Sequence, residues 1–526
     1  MPANKRRRFW RTCRICFRYT RIAVWLLILA VLGSLIYVNQ IGLPGFVKKP
    51  LVEKLHERGV DLQFSRLRIR WDQGIVAENV RFGGANEPLG PEFKLAQVQV
   101  QLNYKALRKF QFQVDALRLR RGRLAWPIAE TNQPSRQLAI DDIQTDLRLL
   151  PNDEWSLDHF KAVLAGAQIQ LSGTVTNASA VRNWKLFEGH GKTPTPGGVW
   201  QRRIRQLADT LERIHFSSPP ELRVDLRGDA RDLQSFHLWL TLNTPGADTP
   251  WGSVRDGKFN ARVFPTGSNE ISHAELSLEA TDAQTQWTSV TNLDLLLHLV
   301  AVEGATNIVN AHLELSAGVI DTQWGSTSNA QFTAQWMHAF TNPVPLSGTG
   351  ELICEGAVSP WGSADKVRLT GRLLMPPETA TLHADESWAW WAALEPYVLQ
   401  WDGELSAVKA AELEASKIIC GGNWNSPMFA VTNLQAELYG GKLDARARVD
   451  VVSRLLKGTL VSDFDPHKAQ HVLTEGGRRW LEQYSWSRPP LVSGDISVVL
   501  PAWTNRHPDW RAEIRPSLAL NGDVNL

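Results

Sequence analysis

The feature that most constrains this chain is a period of two. Beyond residue 59, apolar and polar residues alternate in run after run, which builds strands with one buried face and one wet face. Val60, Leu62 and Phe64 alternate with Asp61 and Gln63. After a one-residue slip, which reads as a turn or bulge, Leu67, Ile69 and Trp71 alternate with Arg68 and Arg70. Val98, Val100 and Leu102 stand among Gln97, Gln99 and Gln101, and Phe110, Phe112 and Val114 alternate with Gln111 and Gln113. Residues 120–123, around Gly122, read as a hairpin turn. One-sided burial is the habit of antiparallel sheets. A chain of 526 residues is too long for one compact core, so several modules or one elongated β architecture are expected.

A second regularity lies in the middle of the chain. TPWGS at 249–253 recurs as TQWTS at 285–289, TQWGS at 322–326 and SPWGS at 359–363, with Trp251, Trp287, Trp324 and Trp361 spaced 36, 37 and 37 residues apart. A strand-like run follows each tag: KFNARVF, LDLLLHLV, QFTAQW and VRLTGRL. GNWNS at 422–426, leading into MFAVTNLQAEL, reads as a weaker echo. Such a period marks one supersecondary unit used repeatedly, and about 37 residues fit two to four strands. A propeller blade has a similar length, but the repeats do not extend over the whole chain and lack a closing pattern, so an open array is expected.

The N-terminus differs in kind. Lys5, Arg6, Arg7, Arg8, Arg11, Arg14, Arg18 and Arg21 precede IAVWLLILAVLGSLIYV at 22–38, which holds no charge. Seventeen residues of helix span about 25 Å, close to a thin bilayer core, and 39–43 can extend it. Trp25 and Tyr37 stand near its two ends, as interfacial aromatics do. The positive-inside rule places the N-terminus in the cytoplasm and the bulk of the chain outside it. A cleaved signal is the other reading, but Tyr37, Val38, Asn39 and Gln40 make a poor cleavage site.

A few short amphipathic helices complete the pattern. Residues 44–58 read as one, with Phe46, Val47, Leu51 and Leu55 on one side and Gly59 as its stop. Trp200, Ile204, Leu207, Leu211 and Ile214 fall at helical spacing after a Pro/Gly loop; that helix either caps a sheet end or acts at a membrane surface. ESWAWWAAL at 386–394 reads as a short helix. Asp465 and Pro466 look like an N-cap with proline at N1, opening a helix over 467–484 with a break at Gly476 and Gly477.

Catalytic and metal chemistry is not apparent. His467 and His471 have zincin spacing, but Lys468 stands where the catalytic glutamate belongs and no third ligand is evident. Asp463 and Asp465 read as a strand end and a helix cap. Gly191, Lys192 and Thr193 resemble the end of a phosphate loop, but Leu186 replaces its first glycine and Pro194 blocks the helix start. Ser363 and Lys366 spell SxxK inside a repeat tag. Cys13 and Cys16 form a lone CxxC before the apolar run, and Cys354 and Cys420 are available to pair. A net charge of +3 is low for a nucleic-acid binder. The chain is therefore expected to be no enzyme, with no catalytic residue, metal ligand or cofactor and no nucleic-acid partner.

Two stretches resemble the AsmA family of bacterial envelope proteins, which includes TamB-like members. The first is the N-terminal unit, an anchor followed by LPGFVKKPLVEKLHERGVDLQFSRLRIRWDQGIVAENVRFGG at 43–84. The second is FAVTNLQAELYGGKLDARARVDV at 429–451 with LLKGTLVSDFD at 455–465, where Leu438, Tyr439, Gly440, Gly441, Lys442 and Leu443 match the family's "lygG.l" turn. Together they cover about a fifth of the chain. The tryptophan-tagged array is not part of the resemblance. The chain stops at Leu526 inside what reads as a strand pair, LALNGDVNL, so an incomplete C-terminal region is expected.

The resemblance implies an elongated, curved antiparallel sheet forming an open groove behind the N-terminal transmembrane helix. It implies an inner-membrane, single-pass protein, mostly periplasmic, that carries or shields phospholipid between the inner and outer membranes in support of outer-membrane assembly. Its partners would be the inner membrane, phospholipid acyl chains and an outer-membrane protein. Val98, Val100, Leu102, Phe110, Phe112 and Val114 would face the lipid; a closed sandwich, with the same residues in an ordinary core, is the other way to cover the apolar face. A tethered structural or adhesion-type β-repeat scaffold, with the tag tryptophans inside separate cores, and an assembly partner for outer-membrane proteins are the competing functions. The expected organisation is an anchor over 1–42, a β region over 43–180, a helical insertion over 181–220, tagged repeats over 221–375, a short helical segment over 376–400 and a C-terminal β region over 401–526.

Overall fold

A computed structural model describes residues 3–40, 62–70, 74–82, 91–107, 113–128, 136–183, 199–265, 273–302, 307–339, 342–360, 362–374, 394–410, 413–473, 475–486 and 488–500. The helix expected over 44–58, Phe110, Phe112, Trp361, all of the 386–394 segment but Leu394, and the final strand pair lie outside them. The described chain is mainly β, as expected, with 24 strands and four α-helices: α1 (Ala3–Gln40), α2 (Tyr104–Leu107), α3 (Val199–Glu212) and α4 (Glu475–Leu481). Within α1, described apolar side chains including Ile22, Leu26, Leu29 and Ile36 are exposed. The side chains of Ser34, Leu35 and Val38 are outside the described set, and among the described residues no helix is long and apolar enough to cross a membrane.

The chain divides into two units. The first comprises Met1–His215 with Pro219–Leu240, and the second Phe216–Ser218 with Thr241–Leu526. The first unit holds β1 (Leu62–Gln63), β2 (Arg66–Arg70), β3 (Gly74–Phe82), β4 (Glu92–Leu102), β5 (Val114–Ile128), β6 (Arg136–Leu150), β7 (Glu154–Leu164) and β8 (Ala167–Thr176). β1 and β2 both pair with β3, separated by the slip expected from the sequence, and β3 to β8 pair consecutively and antiparallel. β9 (His215–Phe216) and β11 (Asp232–Thr249) have residues in both units, and β10 (Glu221–Asp229) lies parallel to β8. A parallel neighbour needs a crossover, and the segment carrying α3 supplies it. Ala208 and Leu211 of α3 lie on Ile128, Leu138 and Leu164, so the helix covers a sheet end. That is the capping role of the two readings.

The second unit is an uninterrupted antiparallel meander. It runs through β12 (Gly252–Val263), β13 (Ala274–Thr285), β14 (Thr288–Ala301), β15 (Ile308–Thr322), β16 (Gly325–Ala339) and β17 (Asn342–Ser359). It continues through β18 (Gly362–Leu374), β19 (Val398–Ala410), β20 (Leu413–Asn425), β21 (Met428–Leu438), β22 (Gly441–Asp450), β23 (Leu455–Ser462) and β24 (Val492–Val499). Each strand pairs with the next, and no described pairing joins β24 back to β12. The sheet is therefore open, and the sequence period of about 37 residues is two strands and their turns.

Left-handed residues bend these strands along one line. Asp256, Asn292, Asn329 and Ala407 have φ of 46°, 51°, 49° and 49°, and Gly356 has 58°. They fall where the ladders skip a position: Asn292 and Gly318 lie between the pairs Thr291–Val319 and Asp294–Ser316, Asn329 between Ser328–Val319 and Ala330–Ala317, and Ala407 between Ser406–Lys417 and Val408–Ala415. A left-handed residue in a strand acts as a bulge does, bending it and shifting the alternation of faces. On one side of the line Leu315 and Leu405 pack on Ala317, Ala330, Cys354, Ala364 and Val367; from the other side Val290, Ile320, Ala357 and Val408 pack on the same small residues. The apolar face is thus the inside of the bend. Asn79, Arg121 and Asp142 repeat the device in the first unit.

That device corrects one expectation. Residues 120–123 are not a hairpin turn: β5 runs straight through them, and Arg121 is its left-handed bend. The glycine-and-arginine cluster has the composition of a turn because a bend inside a strand needs similar backbone freedom. Val at position 329 would place a β-branched side chain at positive φ. Asn329→Val is expected to lower stability by about 1–2 kcal/mol, while Asn329→Gly costs less; urea midpoints of the two variants check this.

Candidate functional site

Directly paired residues of an antiparallel ladder share a face, so the registers show which side chains line up across the second unit. One row runs Ala261, Leu276, Leu297, Leu313 and Ala334 from β12 to β16. It continues through Gly350, Gly371, Trp401 and Gly422 to Val431, Ala447, Gly458 and Ile496 on β24. No member of the row is charged or carries an amide or hydroxyl side chain. A second row starts at Phe259 and Leu278 and reaches Leu460 and Gly494; a third starts at Val263 and Ala274 and reaches Leu456 and Val498. Both are as apolar as the first, through Phe332, Leu352 and Leu369 in one and Trp336, Leu373 and Leu399 in the other. Three adjacent rows therefore cross all 13 strands from β12 to β24 without a polar side chain.

These rows are not a sealed core. Most of their large members are only half-buried, and Leu369 is 39% exposed. Over β16 to β19 the face hollows into a cavity of about 580 Å³ walled by Phe332, Trp336, Leu352, Leu369, Leu399 and Trp401. Small residues make its floor: Gly348, Gly350 and Gly371 lie between the walls, and a Cβ added at Gly371 meets nothing within 4 Å. Trp401 stacks on Phe429 with ring centroids 5.8 Å apart and an interplanar angle of 5°. The volume is within the usual range for small-molecule sites, and Gln335, Thr349, Thr370, Arg372 and Asp402 stand at its border.

The other face of the same strands is polar and ion-paired. Lys258 pairs with Glu279 at 3.4 Å, Arg255 with Asp282 at 3.3 Å and Lys417 with Glu404 at 2.6 Å. The hydrogen bond and charge of Lys417 hold the Glu404 carboxyl below its ordinary value, and Glu404 raises Lys417 in return. These contacts are exposed, so they solubilise this face more than they stabilise it.

The first unit shows the same arrangement. Ile69, Ile75, Val100, Leu117, Leu147 and Leu157 form a row that ends in Gly173 and Leu226. The adjacent row carries Val98 between Ala77 and Leu119 and is interrupted only by Thr145. Val98, Val100, Leu102 and Val114 are all half-buried, and Leu102 pairs with Val114. The sequence thus located a fragment of the apolar face. The larger apolar expanse lies in the second unit, where Leu-rich runs such as LDLLLHLV signalled it only as strands.

The tag tryptophans sit at hairpin tips. Trp251, Trp287 and Trp324 are 67%, 58% and 56% exposed, at the turns closing β11–β12, β13–β14 and β15–β16. In each turn the tag threonine's Oγ1 accepts the tryptophan backbone N–H at 3.2 Å, and at Thr249 and Thr322 it donates to the glycine carbonyl at 2.8 and 2.9 Å. A Cβ at Gly252 or Gly325 would collide with the carbonyl of Gln284 or Val358 on the next strand, which is why glycine follows tryptophan there. These rings do not fill discrete cores. Trp424 of the GNWNS stretch is no echo of them: it lies 2% exposed beside the turn between β20 and β21, at the other end of the strands, with Nε1 donating to the Leu394 carbonyl at 2.9 Å.

The remaining candidate groups resolve into structure. Residues Pro466–Val472 form a 3-10 helix rather than an α-helix, and α4 begins at Glu475, so the break falls earlier than Gly476. At three residues per turn His467 and His471 do not share a face. His467 packs on Trp486 with centroids 4.2 Å apart. Asp465 is the expected N-cap, accepting from the His467 N–H at 3.1 Å and from Trp486 Nε1 at 3.2 Å. Asp463 accepts from the Lys442 N–H. Among the described residues no group of His, Cys, Asp and Glu is arranged to hold a metal.

Cys354 and Cys420 are free thiols. They sit on β17 and β20, about 14 Å apart by strand spacing, beyond the reach of a disulfide. Burial, and secondarily the charge of Asp402, push the Cys420 thiol up. Both are expected to alkylate at pH 8 at least about tenfold more slowly in the folded chain than in urea, measured by mass spectrometry.

Compared with known proteins, the chain matches no family model, no curated protein and no solved structure.

Proposed function

We propose that this protein is a membrane-anchored envelope protein whose apolar trough holds phospholipid acyl chains and shields them from water during passage between membranes. The observation that carries the reading is the set of three unbroken apolar rows across 13 strands, half exposed and on one face. Each 100 Å² of apolar surface left in water forfeits about 2.5 kcal/mol. A trough of this extent is costly unless something apolar occupies it, and an acyl chain needs no specific polar partner. The AsmA-like stretches noted in the sequence point the same way, toward envelope lipid traffic supporting outer-membrane assembly.

In this reading α1 is the anchor. Its exposed apolar side chains are suited to lipid, the 22–38 run completes the span once its remaining positions are counted, and the basic residues before it favour a cytoplasmic N-terminus. The tethered scaffold with separate cores is disfavoured by the tag tryptophans, which stand at hairpin tips.

The test uses the full chain extracted in mild detergent, with bound lipid counted by mass spectrometry. Gly371→Phe fills the trough floor where space is open, and Leu313→Asp puts a charge in its central row. Both variants are expected to lose most of the co-purified phospholipid while keeping the wild-type circular dichroism spectrum. Lipid content equal to wild type in both folded variants would falsify the trough as the binding site.

A further inference from the structure

We infer that the rim marked by Trp251, Trp287 and Trp324 is a docking edge for the interfacial region of a phospholipid bilayer, distinct from the N-terminal anchor. The three turns all join an odd-numbered strand to the next even-numbered one, so they lie along one edge of the sheet. Two strand spacings separate successive tips, about 9.6 Å, giving a line of three indoles about 19 Å long. Each ring is more than half exposed on a turn pinned by its own threonine. The backbone from which each ring projects is therefore held, and the spacing of the line with it.

The chemistry of the tips selects the occupant. No residue of 249–253, 285–289 or 322–326 is charged; around the indoles are only Thr, Ser, Gly, Pro and Gln. Asp248 and Asp321 immediately precede two of the tags. Uncharged tags flanked by carboxylates do not favour electrostatic capture of an anionic polymer, and they leave the exposed indoles as the main feature of the rim. Indole with uncharged hydroxyl and amide neighbours is the composition that partitions to the headgroup level of a membrane, apolar ring inward and N–H to the wet side.

Position supports the same occupant. Asn292 bends its strand only four residues beyond Thr288, and Asn329 only four beyond Gly325, so this arm of the bent sheet is short. The apolar face continues over it through Val290 and Ile320. An edge resting at headgroup level would put the bilayer interior next to the mouth of the apolar face. The docking itself does not require the trough to hold lipid.

The experiment places the full chain in nanodiscs, which occupy α1, and measures co-sedimentation with separate phosphatidylcholine vesicles. The wild type is expected to sediment with them, equally at low and high salt. The triple variant Trp251→Ala, Trp287→Ala, Trp324→Ala is expected to bind about tenfold more weakly, and the triple phenylalanine variant to retain most of the binding. Gly371→Phe is expected to sediment as wild type, which separates failure of the rim from failure of the trough. The inference is overturned if the folded alanine variant sediments like wild type, or if wild-type sedimentation disappears at high salt.

Discussion

The backbone ladder must keep one register from β12 to β24, and every other property of the second unit follows from that. Side chains alternate with a period of two, so a one-residue slip at any pairing would move a whole strand's apolar set to the wet face. Two devices hold the phase. The Thr-x-Trp turns fix where a strand pair ends, with the hydroxyl of Thr249, Thr322 or Ser359 closing on the carbonyl of Gly252, Gly325 or Gly362 at 2.8, 2.9 and 3.0 Å. The left-handed residues fix where the strand bends. They occur on β12, β14, β16, β17 and β19, close to one line across those strands.

An open sheet built this way gains its ladder hydrogen bonds and salt-bridged outer face, but leaves its inner face incompletely covered. Near the bend the buried positions are small ones, Ala317, Ala330 and Ala364, and a second buried cluster forms around Trp424, Val449 and Val451. Elsewhere on the rows most leucines, with Trp336 and Trp401, are half-buried. A sandwich would have buried them against a second sheet; here the rows border a cavity. The fold is therefore stabilised along the strand order and left receptive across it, which suits a long flexible apolar guest better than a compact one.

Much of this was legible in the sequence, and the failures have physical causes. Alternation identified the strands and the face carrying Val98 and Val100, because a period of two survives any strand order. The 37-residue tags gave the open array and a repeat of two to four strands, of which two is the number found. What alternation cannot give is which residues of distant strands stand side by side, and so the continuity of the rows through Gly350, Gly371 and Trp401 was hidden. Those positions look unremarkable singly. One bend misled for a related reason: Arg121 with Gly122 has turn composition inside an unbroken strand. The helix expected over 467–484 is instead a 3-10 helix over Pro466–Val472 followed by α4, and there the His467 and His471 spacing puts them on different faces.

The most direct test of the account places a photo-crosslinking phenylalanine at Leu313 and, separately, at its neighbour Glu314, in the full chain in its native membrane. Leu313 lies in the central apolar row and Glu314 on the polar face. The account predicts phospholipid adducts at position 313 and none at 314. Absence of lipid adducts at 313, or equal labelling at both positions, would contradict it.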